Sequence, residues 1–149
     1  MYERVLLTLD TSEVAERAID HAVAITKAFN ACLCIISVVE VHDRDEEDDA
    51  TVMRDWEGEV SNTEEYLQGV QTALAAQGID AQLEIRRGDV AEEVLIFADK
   101  CDADMIIMAT HGRANLGRWV YGSVADAVLR GADCPVLVIR VEEEPDEQD

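Results

Sequence analysis

The stretch MIIMATHGRANLGRWVYGSVA, residues 105–125, decides the fold. Its first five residues are a continuous apolar run, the composition of a strand covered on both faces rather than one half exposed to water. Its last three residues open a helical pattern that closes at Gly131. Between them fall Gly112, Gly117 and Gly122, with no Asp or Glu anywhere in the stretch. Strand, glycine-bearing loop and helix in that order form half of a βαβ unit, and the same alternation continues in both directions.

Outward from this segment, apolar runs predict five strands at 4–9, 32–39, 82–87, 105–109 and 136–141. Four helices are expected between them. The first follows Thr11 and Ser12, either of which can cap it, and carries the stripe Val14, Ala18, Ala22, Ile25 and Phe29. The second carries Met53, Trp56, Val60, Leu67, Val70 and Leu74 and is closed by Gly78. Asp89 caps the third, which buries Val94, Phe97, Ala98 and Cys101, and the fourth runs from Ser123 to about Arg130. The fold class is therefore α/β: a three-layer α/β/α arrangement around an open, parallel, five-stranded, Rossmann-like sheet. A chain of 149 residues suits one such domain, taken as residues 1–141, followed by an acidic tail, 142–149, read as disordered.

Composition narrows the function. With 33 acidic against 12 basic residues the net charge is −21, so nucleic acids and anionic membranes are repelled, and neither is an expected partner. No apolar run approaches the ~20 residues of a membrane-spanning helix, and a cytoplasmic location is expected. So large an acidic excess is best tolerated where ~1 M salt shrinks the Debye length to ~3 Å, which points to a halophilic host. Cys32, Cys34, Cys101 and Cys134 sit in apolar runs without paired C-x-x-C spacing and read as buried free thiols. The acidic segment 43–49 lacks a glycine turn and reads as a solvated loop, so no metal site is assigned there.

In an open parallel sheet, ligands bind beyond the carboxyl ends of the strands, where strand order reverses. Two segments meet that condition, 9–12 and 109–123. Glycines in the second let consecutive amides approach an anion, and the helix that opens at Gly122 and Ser123 adds unpaired N–H groups and a partial positive charge, typically ~0.3–1 kcal/mol for an anion. His111, Arg113 and Arg118 are the charged or titratable residues of this acid-free stretch. Arg113 and Arg118 either clamp phosphates or form surface ion pairs. His111 either meets phosphate or bonds to backbone. Asp10 either orients a ribose hydroxyl or caps the first helix. Neither a G-x-x-x-x-G-K-[ST] loop nor a G-x-G-x-x-G after the first strand is present, and no set of catalytic residues stands out.

Residues 110–116 (THGRANL), 122–125 (GSVA) and 134–138 (CPVLV), with the opening VLLTLDTS of 5–12, resemble the universal stress protein family over nearly the whole chain. That resemblance implies an adenine-nucleotide-binding α/β fold with strand order 3-2-1-4-5, and it implies ATP, with Mg²⁺ as its counterion, as the ligand. ATP-binding members carry G-x2-G-x9-G-[ST], matched here by Gly112, Gly122 and Ser123, with Ala109 in the first position. By the same resemblance Gly112, Gly122 and Ser123 hold the triphosphate, Asp10 lies near the ribose and the backbone around Val38 meets the adenine; Ala109, Arg113 and Val124 complete the candidate nucleotide-binding residues. It further implies a homodimer through the last strand and a nucleotide-dependent role in stress response or signalling. Two alternatives stay open: a nucleotide-free dimeric interaction module, and a slow ATPase or self-phosphorylating protein. An Ala109 forced into left-handed geometry costs ~1–2 kcal/mol, whereas an extended Ala109 costs nothing.

Overall fold

The computed structural model describes residues 1–41, 49–115, 118–120 and 122–142. Of the acidic loop expected at 43–49, residues 43–48 lie outside these residues, while Asp49 is the first residue of a helix; His42, Leu116, Gly117, Tyr121 and the tail beyond Glu142 also lie outside.

Five strands run parallel in one sheet: β1 (Arg4–Thr8), β2 (Cys32–Glu40), β3 (Ala81–Gly88), β4 (Met105–Asn115) and β6 (Val136–Glu142). Their spatial order is β3-β2-β1-β4-β6, with β1 flanked by Cys32–Ile36 of β2 and Met105–Ile107 of β4. This is the expected 3-2-1-4-5 order, because one further short strand, β5 (Arg118–Val120), intervenes in sequence and pairs antiparallel with the end of β4.

Alternation along the strands divides the core in two. On one face Val5, Leu7, Leu33, Ile35 and Ile107 pack against Ala15 of α1 (Glu13–Glu16), Ala22 of α2 (Ile19–Phe29), and Leu67 and Leu74 of α3 (Asp49–Ala75). On the other, Leu6, Cys34, Ile36, Ile106 and Met108 meet Ala91, Val94 and Ala98 of α4 (Val90–Lys100) and Ala125 and Val128 of α5 (Ser123–Gly131). These positions are almost wholly excluded from water, so both faces of the sheet contribute to the hydrophobic stabilisation.

Local signals explain most boundaries. Asp89 accepts from the Glu92 amide at 3.0 Å and caps α4, and Gly78 takes φ +84° beyond the end of α3, where a side chain would be strained. Five expectations are corrected. The first helix is two: the Arg17 and Ala18 amides bond three residues back, to Val14 and Ala15, and the tighter turn separates α1 from α2. Phe29 then falls on an exposed position and stacks edge-on against Tyr2, their centroids 4.9 Å apart. The fourth strand does not end at Ala109 but continues to Asn115, because β6 pairs with it through Gly112 and β5 with residues 113–115. The cysteines are free, but only Cys34 is buried; Cys32 is exposed. Glu142, assigned to the tail by the sequence, is the last residue of β6.

Candidate functional site

A cavity of about 760 Å³ opens at the carboxyl ends of β1, β2 and β4. It sits where the chain leaves β1 toward one side of the sheet and β4 toward the other, the position physical argument assigns to ligands in such folds.

One wall is the turn after β1. Ser12, rather than Asp10, caps α1, its Oγ accepting from the Ala15 amide at 3.1 Å. Asp10 braces that cap instead: its Oδ1 accepts from the Ser12 amide at 3.0 Å and from the Ser12 hydroxyl. Thr11 between them has φ +70°, a conformation a β-branched residue adopts only under constraint, at a typical cost of ~1–3 kcal/mol. The Asp10–Ser12 bonds supply that constraint and hold the Asp10 carboxylate at the cavity.

The opposite wall is the junction of β4 and α5. Gly122 is the N-cap of α5, in ordinary extended backbone (φ −59°, ψ 156°), and the Gly122 amide donates to Thr110 Oγ1 at 3.1 Å. The first intrahelical bond is from Asp126 to the Gly122 carbonyl at 3.0 Å. Ser123, Val124 and Ala125 all line the cavity, and their amides have no acceptor among the described residues. Three orphan N–H groups at the positive end of a helix dipole are a donor set suited to an anion. A Cβ at position 122 would lie 3.1 Å from Thr110 Oγ1, closer than such atoms ordinarily come, so glycine lets α5 begin against β4.

Of the sequence-predicted residues, Asp10, Val38, Ala109, Gly122, Ser123 and Val124 come together around this cavity. Ala109 is extended within β4, in register with Ile139, and is not among the residues of positive φ; its methyl group therefore carries no left-handed strain. Gly112 and Arg113 stand on the prolonged β4, in register with Glu142 and Val120, rather than in a free loop.

Several lining residues escaped the sequence reading: Ser37, Glu40, Glu59, Thr63 and Thr110. Thr110 had a legible signal, a polar residue following an apolar run just where the strand meets its ligand end. Glu59 and Thr63 had none, since their place at the cavity depends on how α3 lies across the sheet. Behind the cavity the Tyr66 hydroxyl donates to Glu16 at 2.8 Å, joining α3 to α1, and burial together with that carboxylate raises the Tyr66 pKa well above the usual phenol range. Among the described residues no three His, Cys, Asp or Glu side chains converge as a metal site. No helix among them is long and apolar enough to cross a membrane.

Comparison with known proteins agrees with this architecture. The family model described as universal stress protein family matches residues 1–140. A universal stress protein of Methanocaldococcus jannaschii is 34% identical over 144 residues, which are 94% of this chain and 83% of that protein. A solved protein of the same family from Burkholderia pseudomallei superposes with a TM-score of 0.75 at 28% identity, covering 93% of this chain and 96% of that one. A solved universal stress protein in complex with cAMP superposes at 0.70 with 25% identity, covering 93% and 97%. A match across nearly the whole length, on a sheet with this strand order, settles the relationship: the chain belongs to the universal stress protein family.

Proposed function

We propose that this chain binds an adenine nucleotide, ATP with Mg²⁺, in the cavity between β1 and β4, and acts as a nucleotide-dependent stress-response or signalling protein of the cytoplasm. The observation that carries the reading is the row of unpartnered amides at Ser123, Val124 and Ala125. Backbone donors of this kind take a phosphate without needing a basic side chain, which matters in a chain of net charge −21. The cavity volume falls within the ~300–1,000 Å³ usual for small-ligand sites. The cAMP complex of the 25% identical relative supports an adenine nucleotide as the ligand class.

In this reading the phosphates lie against Gly112, Gly122, Ser123 and Val124, with Ala109 extended beside them and Arg113 as a clamp. Asp10 meets the ribose or the Mg²⁺, and the Val38 backbone reads the adenine. Glu40 and Glu59 also line the cavity, so a divalent cation offsets repulsion between carboxylates and triphosphate. The working unit is a homodimer joined through β6, the sheet edge, and neither nucleic acid nor membrane is a partner.

Titration calorimetry with ATP and Mg²⁺ in molar KCl tests this directly, alongside Gly122→Val. Saturable binding by the wild type, lost by at least tenfold in a variant that keeps its circular dichroism spectrum, is the expected result. Equal affinity in the variant, or no heat from the wild type, refutes the site.

A further inference from the structure

We infer that Ser37 and Thr63 select the base: their buried hydroxyls bond to the edge of an adenine and favour it over a purine that lacks the 6-amino group. This rests on the adenine-nucleotide reading above and adds to it two specificity-determining side chains remote from the phosphate site.

Burial and hydrogen bonding single these residues out. Ser37 and Thr63 are 3% and 8% exposed, both line the cavity, and neither hydroxyl has a hydrogen-bond partner among the described residues. Comparable hydroxyls are satisfied. Thr110, 7% exposed, accepts from the Gly122 amide, and Thr72, on the same helix as Thr63, donates to the Gln68 carbonyl at 2.9 Å. A hydroxyl held out of water without a partner carries a desolvation penalty, which a hydrogen-bonding ligand group removes. Alanine or valine fills such positions without that penalty, so packing alone does not call for either hydroxyl. Asn62 also lines the cavity, but it is exposed and water satisfies its amide.

Their placement follows from two rows of core residues. Leu67 of α3 and Ile35 of β2 pack in one apolar cluster. Thr63 lies one turn before Leu67 and Ser37 one alternation after Ile35, so both rows end at the cavity on a hydroxyl. The α5 amides belong to the opposite face of the sheet, and the two faces communicate because β1 stops short. Its pairing ends at Thr8 with Ile36 and at Leu7 with Ile107, while β2 runs on to Glu40 and β4 to Asn115. A notch is left between β2 and β4. The Cys32 amide and the Ile36 carbonyl bond toward β1, so Val38, in the same alternation, turns its N–H and C=O into the notch. A nucleotide whose phosphate meets the α5 amides thus carries its base, the end remote from the phosphate, into the notch and toward the two hydroxyls. Adenine presents a 6-amino donor beside ring-nitrogen acceptors, and a hydroxyl can both accept and donate. A base without the amino group leaves buried hydroxyl capacity unpaired, which is how such a site discriminates.

The test compares 3′,5′-cyclic AMP with the 3′,5′-cyclic phosphate of purine riboside, which differs only in lacking the 6-amino group. Calorimetry of the full chain is expected to show cyclic AMP bound about tenfold more tightly. Ser37→Ala combined with Thr63→Val is expected to cut that preference below about threefold, chiefly by weakening cyclic AMP. The same variant is expected to melt no lower than the wild type, because neither hydroxyl bonds within the fold; a lower midpoint gives the hydroxyls to the fold and overturns the inference. Equal affinity of the wild type for the two ligands, a comparison that needs no variant, also overturns it. So does a double variant that keeps the full preference, since the Val38 backbone then reads the base alone. These results leave the nucleotide reading intact, whereas a wild type that binds neither ligand overturns both.

Discussion

Thr110 Oγ1 accepts the hydrogen bond of the Gly122 amide at 3.1 Å, across twelve residues of sequence. The bond ties the ligand end of β4 to the first residue before α5, and so fixes the direction in which the three unpaired amides of that helix point. Thr110 is almost fully buried, so its hydroxyl has a fixed partner.

Thr110→Val keeps the shape and removes the acceptor. Because Gly122 is itself exposed, water can take over its amide, and the loss to folding is small. The expected change is in ligand affinity, about 1 kcal/mol or roughly fivefold, from loss of a fixed helix start. Calorimetry of the nucleotide complex beside a thermal melt separates the two effects. A variant with unchanged affinity shows that the helix start is positioned by packing alone.

Much of this arrangement was legible in the sequence because it rests on local signals. The apolar runs marked the five parallel strands, their spatial order followed from the family resemblance, and the glycine and serine at 122 and 123 marked the start of α5. The end of β4 was not legible. Residues 110–115 carry three polar side chains, Thr110, His111 and Asn115, beside a glycine and an arginine, and they are strand only because β6, distant in sequence, and the short β5 just beyond supply partners. The break between α1 and α2 was hidden for the converse reason: Val14, Ala18 and Ala22 keep helical spacing across it, and the break is visible only in bonds that reach three residues back rather than four. Asp10 was assigned alternative roles, and the choice depended on Ser12 taking the cap.

The outer edge of the sheet makes a second prediction. In a parallel ladder alternate residues turn their N–H groups to opposite sides. Ile106 N donates to the Pro135 carbonyl, so Leu137 and Ile139 face β4 while the Val138 N–H faces outward. Proline is tolerated on an edge strand where the missing N–H faces outward. If the proposed dimer forms through β6, Val138→Pro is expected to leave the fold in place and yield a monomer, read by light scattering on a sizing column. A variant that still elutes at the wild-type mass excludes β6 as the contact.

Acid stability depends on Asp104. Its Oδ2 accepts from the amides of Glu3 at 2.9 Å and Arg4 at 3.0 Å, joining the start of β1 to the approach to β4. Those two amides hold its pKa below the ordinary carboxylate range. A depressed folded value means the stabilisation is present above the unfolded value, about 3.9, and is lost as pH falls through the folded one. Asp104→Asn is expected to be less stable than the wild type at pH 7, with the gap narrowing below about pH 4. Urea unfolding at several pH values measures it, and a gap that is constant with pH refutes the linkage.

Salt acts on this chain in two opposing directions. It weakens surface ion pairs such as Arg4–Asp102 at 3.6 Å and Arg130–Asp126 at 3.0 Å, each worth at most ~1 kcal/mol. It also screens the repulsion among carboxylates, and with 33 acidic against 12 basic residues most of them have no cation to meet. Twelve cations can neutralise at most twelve carboxylates, so repulsion outweighs the pairs and its screening decides the sign. The midpoint of thermal unfolding should rise from 0.05 M to about 2 M KCl, most steeply below ~1 M where the Debye length contracts from over 10 Å to ~3 Å. Replacing KCl by an equal molarity of a neutral osmolyte should not reproduce the steep portion. A midpoint that stays flat or falls across that range shows that this fold disperses its charge without help from salt.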